Sequence, residues 1–283
     1  MAISMWEIHY SIGSLGGKPM EWTQEAMKAI SRVPFFVRKR VKKRVEEEAS
    51  REGSSVVTLD HVRACQRRFL ERMEDEVRGF RTETCFGPSG CPNRVLESDD
   101  LVRGLEGLLN EKDLRSFLLE KVGPNLKLHH EFRISLSDCP NACSRPQIAD
   151  IGLIGCRRPK VGSKPCDGCQ MCVLQCEENA IRVEKQLPVV EERKCLGCGK
   201  CIDICPTGAL EEAKRGYRVL VGGKLGRHPK LATELPEVHA KEQVLDMVDR
   251  IVQFYLKNST KGERLGEIVE RKVESAFFEE LGP

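Results

Sequence analysis

Two runs of cysteine dominate the chemistry open to this chain: Cys166-x2-Cys169-x2-Cys172-x3-Cys176 and Cys195-x2-Cys198-x2-Cys201-x3-Cys205-Pro206. Thiolates are soft ligands, and three of them at this spacing can cap three irons of one cubane when the chain wraps tightly round it. The fourth cysteine of each run is held away by the following turn and reaches the other cluster. The spacing therefore predicts one [4Fe-4S] cluster on Cys166, Cys169, Cys172 and Cys205, and another on Cys195, Cys198, Cys201 and Cys176. Paired C-x2-C motifs also bind zinc, which is the competing reading. The doubled arrangement favours clusters. Glu177 follows the first run where Pro206 follows the second.

A second group is more widely spaced. Cys85-Phe-Gly-Pro-Ser-Gly-Cys91 is C-x5-C, and Cys139-Pro-Asn-Ala-Cys143 is C-x3-C. Each pair could cap a cubane from one loop, with the surrounding glycines and prolines permitting close backbone approach to the sulfides. Cys65 and Cys156 are left over. Cys65 falls on the apolar side of its helix and is expected to be a core thiol.

The elements that must position these residues read as follows. Residues 1–78 form a small helical module. One helix spans Glu21 to Val33, a second starts at Pro34 and stops at Gly53, and a third, capped by Thr58 or Asp60, runs through Val62, Cys65, Phe69 and Leu70. The second helix has a basic face from Arg38 to Arg44, read as a solvated surface ahead of a docking patch. Residues 79–160 and 210–283 read as an α/β unit. It has helices at Leu101–Leu109 and around Leu114–Leu118, strands at Phe132–Ser137, Ile151–Ile154 and Tyr217–Val221, and an amphipathic helix from Val244 to Tyr255. Residues 161–209 interrupt it as a two-cluster ferredoxin-type insertion, reached through a linker over Lys160–Pro165. The fold class is thus mixed α+β and α/β.

Composition narrows the functions. The chain of 283 residues is 40% hydrophobic and 31% charged with a net charge of +3, ordinary for a globular protein and no signature of nucleic-acid binding. No apolar run is long enough to span a bilayer, and no export signal is visible, so a cytoplasmic location is expected.

Two resemblances add to this. Trp22, Glu25, Ala26, Pro34, Phe36-Val37-Arg38 and Glu47-x-Ala49 resemble the small helical domain at the end of a light-independent protochlorophyllide reductase subunit, which implies a redox setting. The pattern Cys85-x5-Cys91, Cys139-Pro140-Asn141-x-Cys143 and Asp150-Ile-Gly-x-x-Gly155 is similar to the cluster-binding half of siroheme-dependent sulfite and nitrite reductases. The following insertion is similar to the dissimilatory sulfite reductase subunits. Gly216-Tyr217, Gly222-Gly223-Lys224-x-Gly226-Arg227 and Gly262-Glu263-Arg264 extend the match over roughly 80–275.

The resemblance implies a third [4Fe-4S] cluster on Cys85, Cys91, Cys139 and Cys143, with Cys143 bridging to siroheme iron and Asn141 beside it. Lys224 and Arg227 are candidate partners for siroheme carboxylates. The implied activity is anaerobic reduction of a small oxyanion, sulfite or nitrite, which calls for cations and proton donors. Arg133, His130 and Arg157 are the candidates. The family's full-length members have two related halves and this chain has one, so a homodimer or a hetero-complex is implied, along with an electron-donor protein. The alternative is a siroheme-free electron-transfer subunit with three [4Fe-4S] clusters.

Overall fold

The protein is described by a computed structural model that covers residues 20–272 and residue 277, without the side chains of 70–76. The expectation about the first residues, and that for the Leu70 side chain, lie outside the described residues. The chain divides into two units, 1–73 and 74–283.

The first unit is built from β1 (Glu21–Trp22), α1 (Gln24–Ser31), α2 (Phe35–Arg51), β2 (Val56–Val57) and α3 (Leu59–Glu76). The first helix begins later than its periodicity suggests. Glu21 and Trp22 pair in parallel with Val56 and Val57, and Thr23 then caps α1 by accepting the Ala26 N–H. Pro34 turns the chain into α2, and the Arg38 guanidinium fastens that corner through the carbonyls of Ser31 and Val33. Ala26, Ile30, Val45, Ala49 and Val57 form the core, with Cys65 packed against it. Cys65 is half-buried at the edge of that core and not within it, and its partial burial pushes the thiol upward.

The second unit opens with β3 (Phe80–Thr84), α4 (Asp99–Glu111), α5 (Leu114–Val122), β4 (Phe132–Ser137) and β5 (Ile151–Val161). It continues through α6 (Met171–Gln175), β6 (Ile181–Glu184), β7 (Leu187–Val190), α7 (Lys200–Ile204) and β8 (Leu210–Val221). It then finishes with β9 (Thr233–Glu234), α8 (Lys241–Asn258) and α9 (Leu265–Lys272). Its main sheet has the order β3-β4-β5-β8-β9, parallel across the first three strands and antiparallel thereafter. Alternation sorts the strands into two faces. Phe80, Phe132, Ile134, Leu136, Ile151, Leu153, Tyr217, Val219 and Val221 share a core with α4 and α8. The opposite face carries Arg81, Glu83, Arg133, Ser135, Ser137 and Gly152, which matters for the site.

The sequence pattern underestimates two strands and misses β3 at the edge of the main sheet as well as the short strands β1, β2, β6, β7 and β9. β5 and β8 run on to Val161 and Leu210 because they pair with each other along their length, so Lys160 and Val161 belong to a strand and not to a linker. β3 is short and half polar, so its periodicity is weak. No described helix is long and apolar enough to cross a membrane.

Candidate functional site

Adjacent parallel strands place their C-terminal ends side by side, and this brings distant cysteines together. Cys85 follows β3 directly, its N–H bonded to the Leu136 carbonyl of β4, while Cys139 lies just beyond β4. The Cys85 sulfur accepts backbone N–H groups from Gly87 and Asp138, each at 3.3 Å. Burial raises the Cys139 thiol and the Asn141 backbone N–H opposes it. Cys85, Cys143 and Cys91 add their negative potential, so all four thiols lie within electrostatic reach of one another.

The loop over residues 139–149 folds back over the polar face of β4. The Ser135 hydroxyl donates to the Ser144 carbonyl at 2.7 Å, Ser137 and Ser144 hydroxyls meet at 2.7 Å, and the Ser144 hydroxyl reaches the Leu136 carbonyl. Ala142 and Arg145 adopt left-handed backbone (φ 52° and 60°), a strain this stitching sustains. Gly152 lets the loop approach, since a Cβ there would lie 2.2 Å from the Pro146 carbonyl oxygen. Cys143 and Asn141 are left exposed on the outside of the turn.

The other eight cysteines lie in two copies of one local structure. Gly168 and Gly197 have φ of 76° and 75°, and the five-residue helices α6 and α7 start from left-handed Gln170 and Gly199 and end at Cys176 and Cys205. Cys172 and Cys201 point into a small core with Ile181 and Leu210. Cys172 feels Cys205 and Cys166, whereas Cys201 feels Cys195, Cys198 and Cys176 above all. The fourth thiol of each run therefore faces the other run. Burial drives the Cys201 thiol up to about 12. Burial acts on Cys205 too, but backbone N–H groups from Leu210 to Gly208 and the Thr207 hydroxyl outweigh it and lower that thiol. Among the described residues no three Cys, His, Asp or Glu side chains converge tightly enough to grip a single metal ion.

The β5–β8 ribbon joins the two cysteine regions. The Arg157 N–H donates to the Gly197 carbonyl at 2.7 Å. Its guanidinium forms two 3.0 Å bonds to Asp203 of α7 and one of 2.6 Å to Glu212 of β8. The buried Cys156 sulfur packs against Gly197, and Gly155 packs against the Asp138 backbone next to Cys139. Lys200 is bonded to Glu177 at 2.7 Å, which firms its proton, and the Cys198 and Cys139 thiols add to that effect. Cys205 and Cys166 lie toward the other end of the ribbon, where Gly162 bonds to Ala209.

Residues 80–283 match the model of the nitrite and sulphite reductase 4Fe-4S domain. The chain belongs to that family. It is thus an iron–sulfur protein of the nitrite and sulfite reductase family. Residues 22–66 match the proto-chlorophyllide reductase 57 kD subunit model. A coenzyme F420-dependent sulfite reductase of Methanocaldococcus jannaschii is 31% identical over 202 residues, covering 71% of this chain and 30% of that protein. One of the subunits of the anaerobic sulfite reductase of Salmonella typhimurium is 27% identical over 216 residues, 70% of this chain and 59% of that one. The chain therefore spans less than two thirds of either relative. The crystal structure of dissimilatory sulfite reductase I shares the fold with a TM-score of 0.51 at 19% identity, over 76% of this chain and 57% of that one.

Within this family fold, the remaining candidates scatter. Arg133 lies on the polar face of β4, paired with Glu83 at 3.0 Å. His130 precedes β4, at the opposite end of that strand from Cys139, a separation of about 17 Å along the strand. Its Nδ1 accepts the Lys127 N–H, and burial followed by His129, Lys127 and Arg264 lowers its proton affinity. Arg157 belongs to the clamp on Gly197 and Asp203, with its guanidinium committed to Asp203 and Glu212. The loop of Lys224 and Arg227 does flank that turn, since Ala232 N–H bonds to the Gln147 carbonyl. The Lys224 ammonium, however, points to Glu267 at 3.1 Å and Glu270 at 3.8 Å. Arg227 is exposed and forms no ion pair among the described residues. Sequence reasoning misses Ser135, Ser137, Ser144, Asp138 and Arg94. The alternation of serine with Phe132, Ile134 and Leu136 is the one available signal for the first two.

Proposed function

We propose that the chain carries three [4Fe-4S] clusters and passes electrons to siroheme, where sulfite or nitrite is reduced. The ligand sets are Cys166, Cys169, Cys172 and Cys205; Cys176, Cys195, Cys198 and Cys201; and Cys85, Cys91, Cys139 and Cys143. The thiols of each set are near neighbours, spread too widely for one ion, and several accept backbone N–H groups in the manner that stabilises cluster sulfur.

The observation that carries the reading is the ribbon clamp, because Arg157 and Cys156 hold the 195–201 loop on the strand whose Gly155 abuts Cys139's neighbour. It supports an arrangement in which the Cys176 set would lie between the Cys166 set and the strand-end set, the order an electron relay would use. Val161 and Gly155 are about 20 Å apart along β5, which separates the outer site from the strand-end site.

Siroheme, when bound, would supply a redox-active iron at which an oxyanion can be reduced. The chain offers it the exposed Cys143 thiol, with exposed Phe86, Leu225 and Leu231 around the same loops for an apolar ring. Arg145 and Arg227 suit its carboxylates, and Arg133 on the same sheet face suits an anion. These groups bind and orient. His130 is too distant to move a proton there. A second polypeptide, a copy of this chain or another protein, closes the pocket, and a donor protein meets the outer cluster. A siroheme-free electron-transfer subunit is the second reading, favoured by the commitment of Lys224 to Glu267 and Glu270.

Anaerobic purification with iron, labile-sulfide and visible-spectral analysis tests this. Three clusters per chain with resolved siroheme bands are expected. Three clusters with only a broad shoulder would establish the second reading, and two clusters with Cys85 and Cys143 open to alkylation would remove the strand-end site.

A further inference from the structure

Asp138 stands between the strand that ends at Ser137 and the ligand candidate Cys139, and it is fully buried. Its N–H donates to the Cys85 sulfur, and its carbonyl accepts from Val95 and Leu96 at 3.1 and 3.3 Å. Its carboxylate lies against the 85–91 loop so closely that a Cβ on Gly87 would be 2.1 Å from Oδ2. Arg94 Nε donates to that same Oδ2 at 2.8 Å and to the Leu96 carbonyl at 2.9 Å, and Arg94 Nη2 reaches Asp99 in the first turn of α4. Oδ1 is buried with no hydrogen-bond partner.

A buried carboxylate with an unsatisfied oxygen is costly, and it needs a reason or a compensating charge. Shape alone would be served by asparagine. What an aspartate adds is a fixed negative charge, one residue from Cys139 and touching the loop of Cys85 and Cys91. Arg94, three residues beyond Cys91, offsets that charge from the protein side. A cluster's potential depends on the net charge and hydrogen bonds around its sulfurs, because reduction adds negative charge to the same small volume.

We propose that Asp138 and Arg94 form a charge pair that sets the reduction potential of the strand-end cluster, with Arg94 the positioning residue that locks the Asp138 carboxylate between the two cysteine loops. The proposal rests on the reading that Cys85, Cys91, Cys139 and Cys143 hold a cluster. The sign of each effect follows from charge. Removing the Arg94 cation leaves the carboxylate uncompensated and disfavours the reduced cluster. Neutralising Asp138 favours it.

The test is an EPR-monitored redox titration of the full chain with its clusters, alongside iron and sulfide counts. Arg94→Gln is expected to shift the strand-end potential down, Asp138→Asn to shift it up, and Arg94→Lys to restore the parent value. The two clusters on residues 166–205 should titrate unchanged in all three. Where Arg94→Gln loses the cluster, an upward shift in Asp138→Asn with a parent-like Arg94→Lys still carries the proposal. Unmoved potentials, shifts of one sign in both neutralised variants, or loss of the cluster in Asp138→Asn would overturn it and leave the pair a structural tie. Those results leave the cluster reading intact, whereas a parent protein whose iron content is unchanged by Cys139→Ser overturns both.

Discussion

The two cysteine regions are assembled by different means. In residues 166–205 the ligand candidates of each run sit three or four residues apart, and two short helices with matching left-handed starts present them. The frame is local and repeated. In the strand-end region Cys85 and Cys139 are 54 residues apart in sequence and meet only because β3 and β4 are parallel neighbours. The local frame needs glycine and tight turns. The strand-end frame needs a finished sheet, a loop stitched by Ser144, and space at Gly152. One site should therefore be robust to damage in the sheet, and the other should report on it.

The sharpest way to break that comparison is at the sulfurs. Cys139→Ser should remove the strand-end cluster alone, about one third of the iron and sulfide of the three cubanes, with the loop clusters retaining their EPR signals. Cys201→Ser should do the reverse, removing the Cys176 set and leaving the strand-end set. Equal loss of every cluster in both variants would mean that the regions fold as one and that the contrast is false.

A backbone test sharpens it. Gly152→Ala places a methyl against the Pro146 carbonyl, which must move and carry the Cys143 turn with it. A destabilisation of about 1–3 kcal/mol is expected by denaturant unfolding. Faster iron loss should follow from the strand-end site only. Parent stability and parent iron retention would show that the turn is not held by this approach.

The smallest effect concerns the joint between the regions. Arg157→Gln removes two ion pairs, to the largely exposed Asp203 and the partly exposed Glu212, so stability should fall by only about 1 kcal/mol. Both sets should keep their iron. Iron release from the Cys176 set on exposure to a chelator should be slightly faster than in the parent, because α7 loses its side-chain anchor at Asp203. Release as slow as in the parent would show that the backbone bond from Arg157 to Gly197 suffices.

Legibility in the sequence follows the same division. The sulfite and nitrite reductase resemblance rests on short motifs, and membership follows from the match over residues 80–283. The helices of the first unit and α4, α5 and α8 are readable from period, as are the cores of β4, β5 and β8. β3 escapes because only Phe80 marks its buried side. The outer halves of β5 and β8 escape because charged residues there alternate around a two-stranded ribbon with little core to cover. By sequence Lys224 is a cation beside a glycine turn, free to meet a carboxylate of a cofactor. The fold buries it and supplies Glu267 and Glu270 from α9, more than forty residues on.

Sequence by itself determined what depends on neighbours along the chain: the two cysteine runs, the Cys139-Pro-Asn-Ala-Cys143 motif, the helical periods and the family. Tertiary structure alone decided that the ends of β3 and β4 meet, that Arg157 clamps the ribbon to Gly197 and Asp203, and that Asp138 lies buried against Arg94. The physical reason is range. Turn and helix geometry are fixed within a few residues, whereas strand order and the fate of a charge are settled only when distant segments exclude water together.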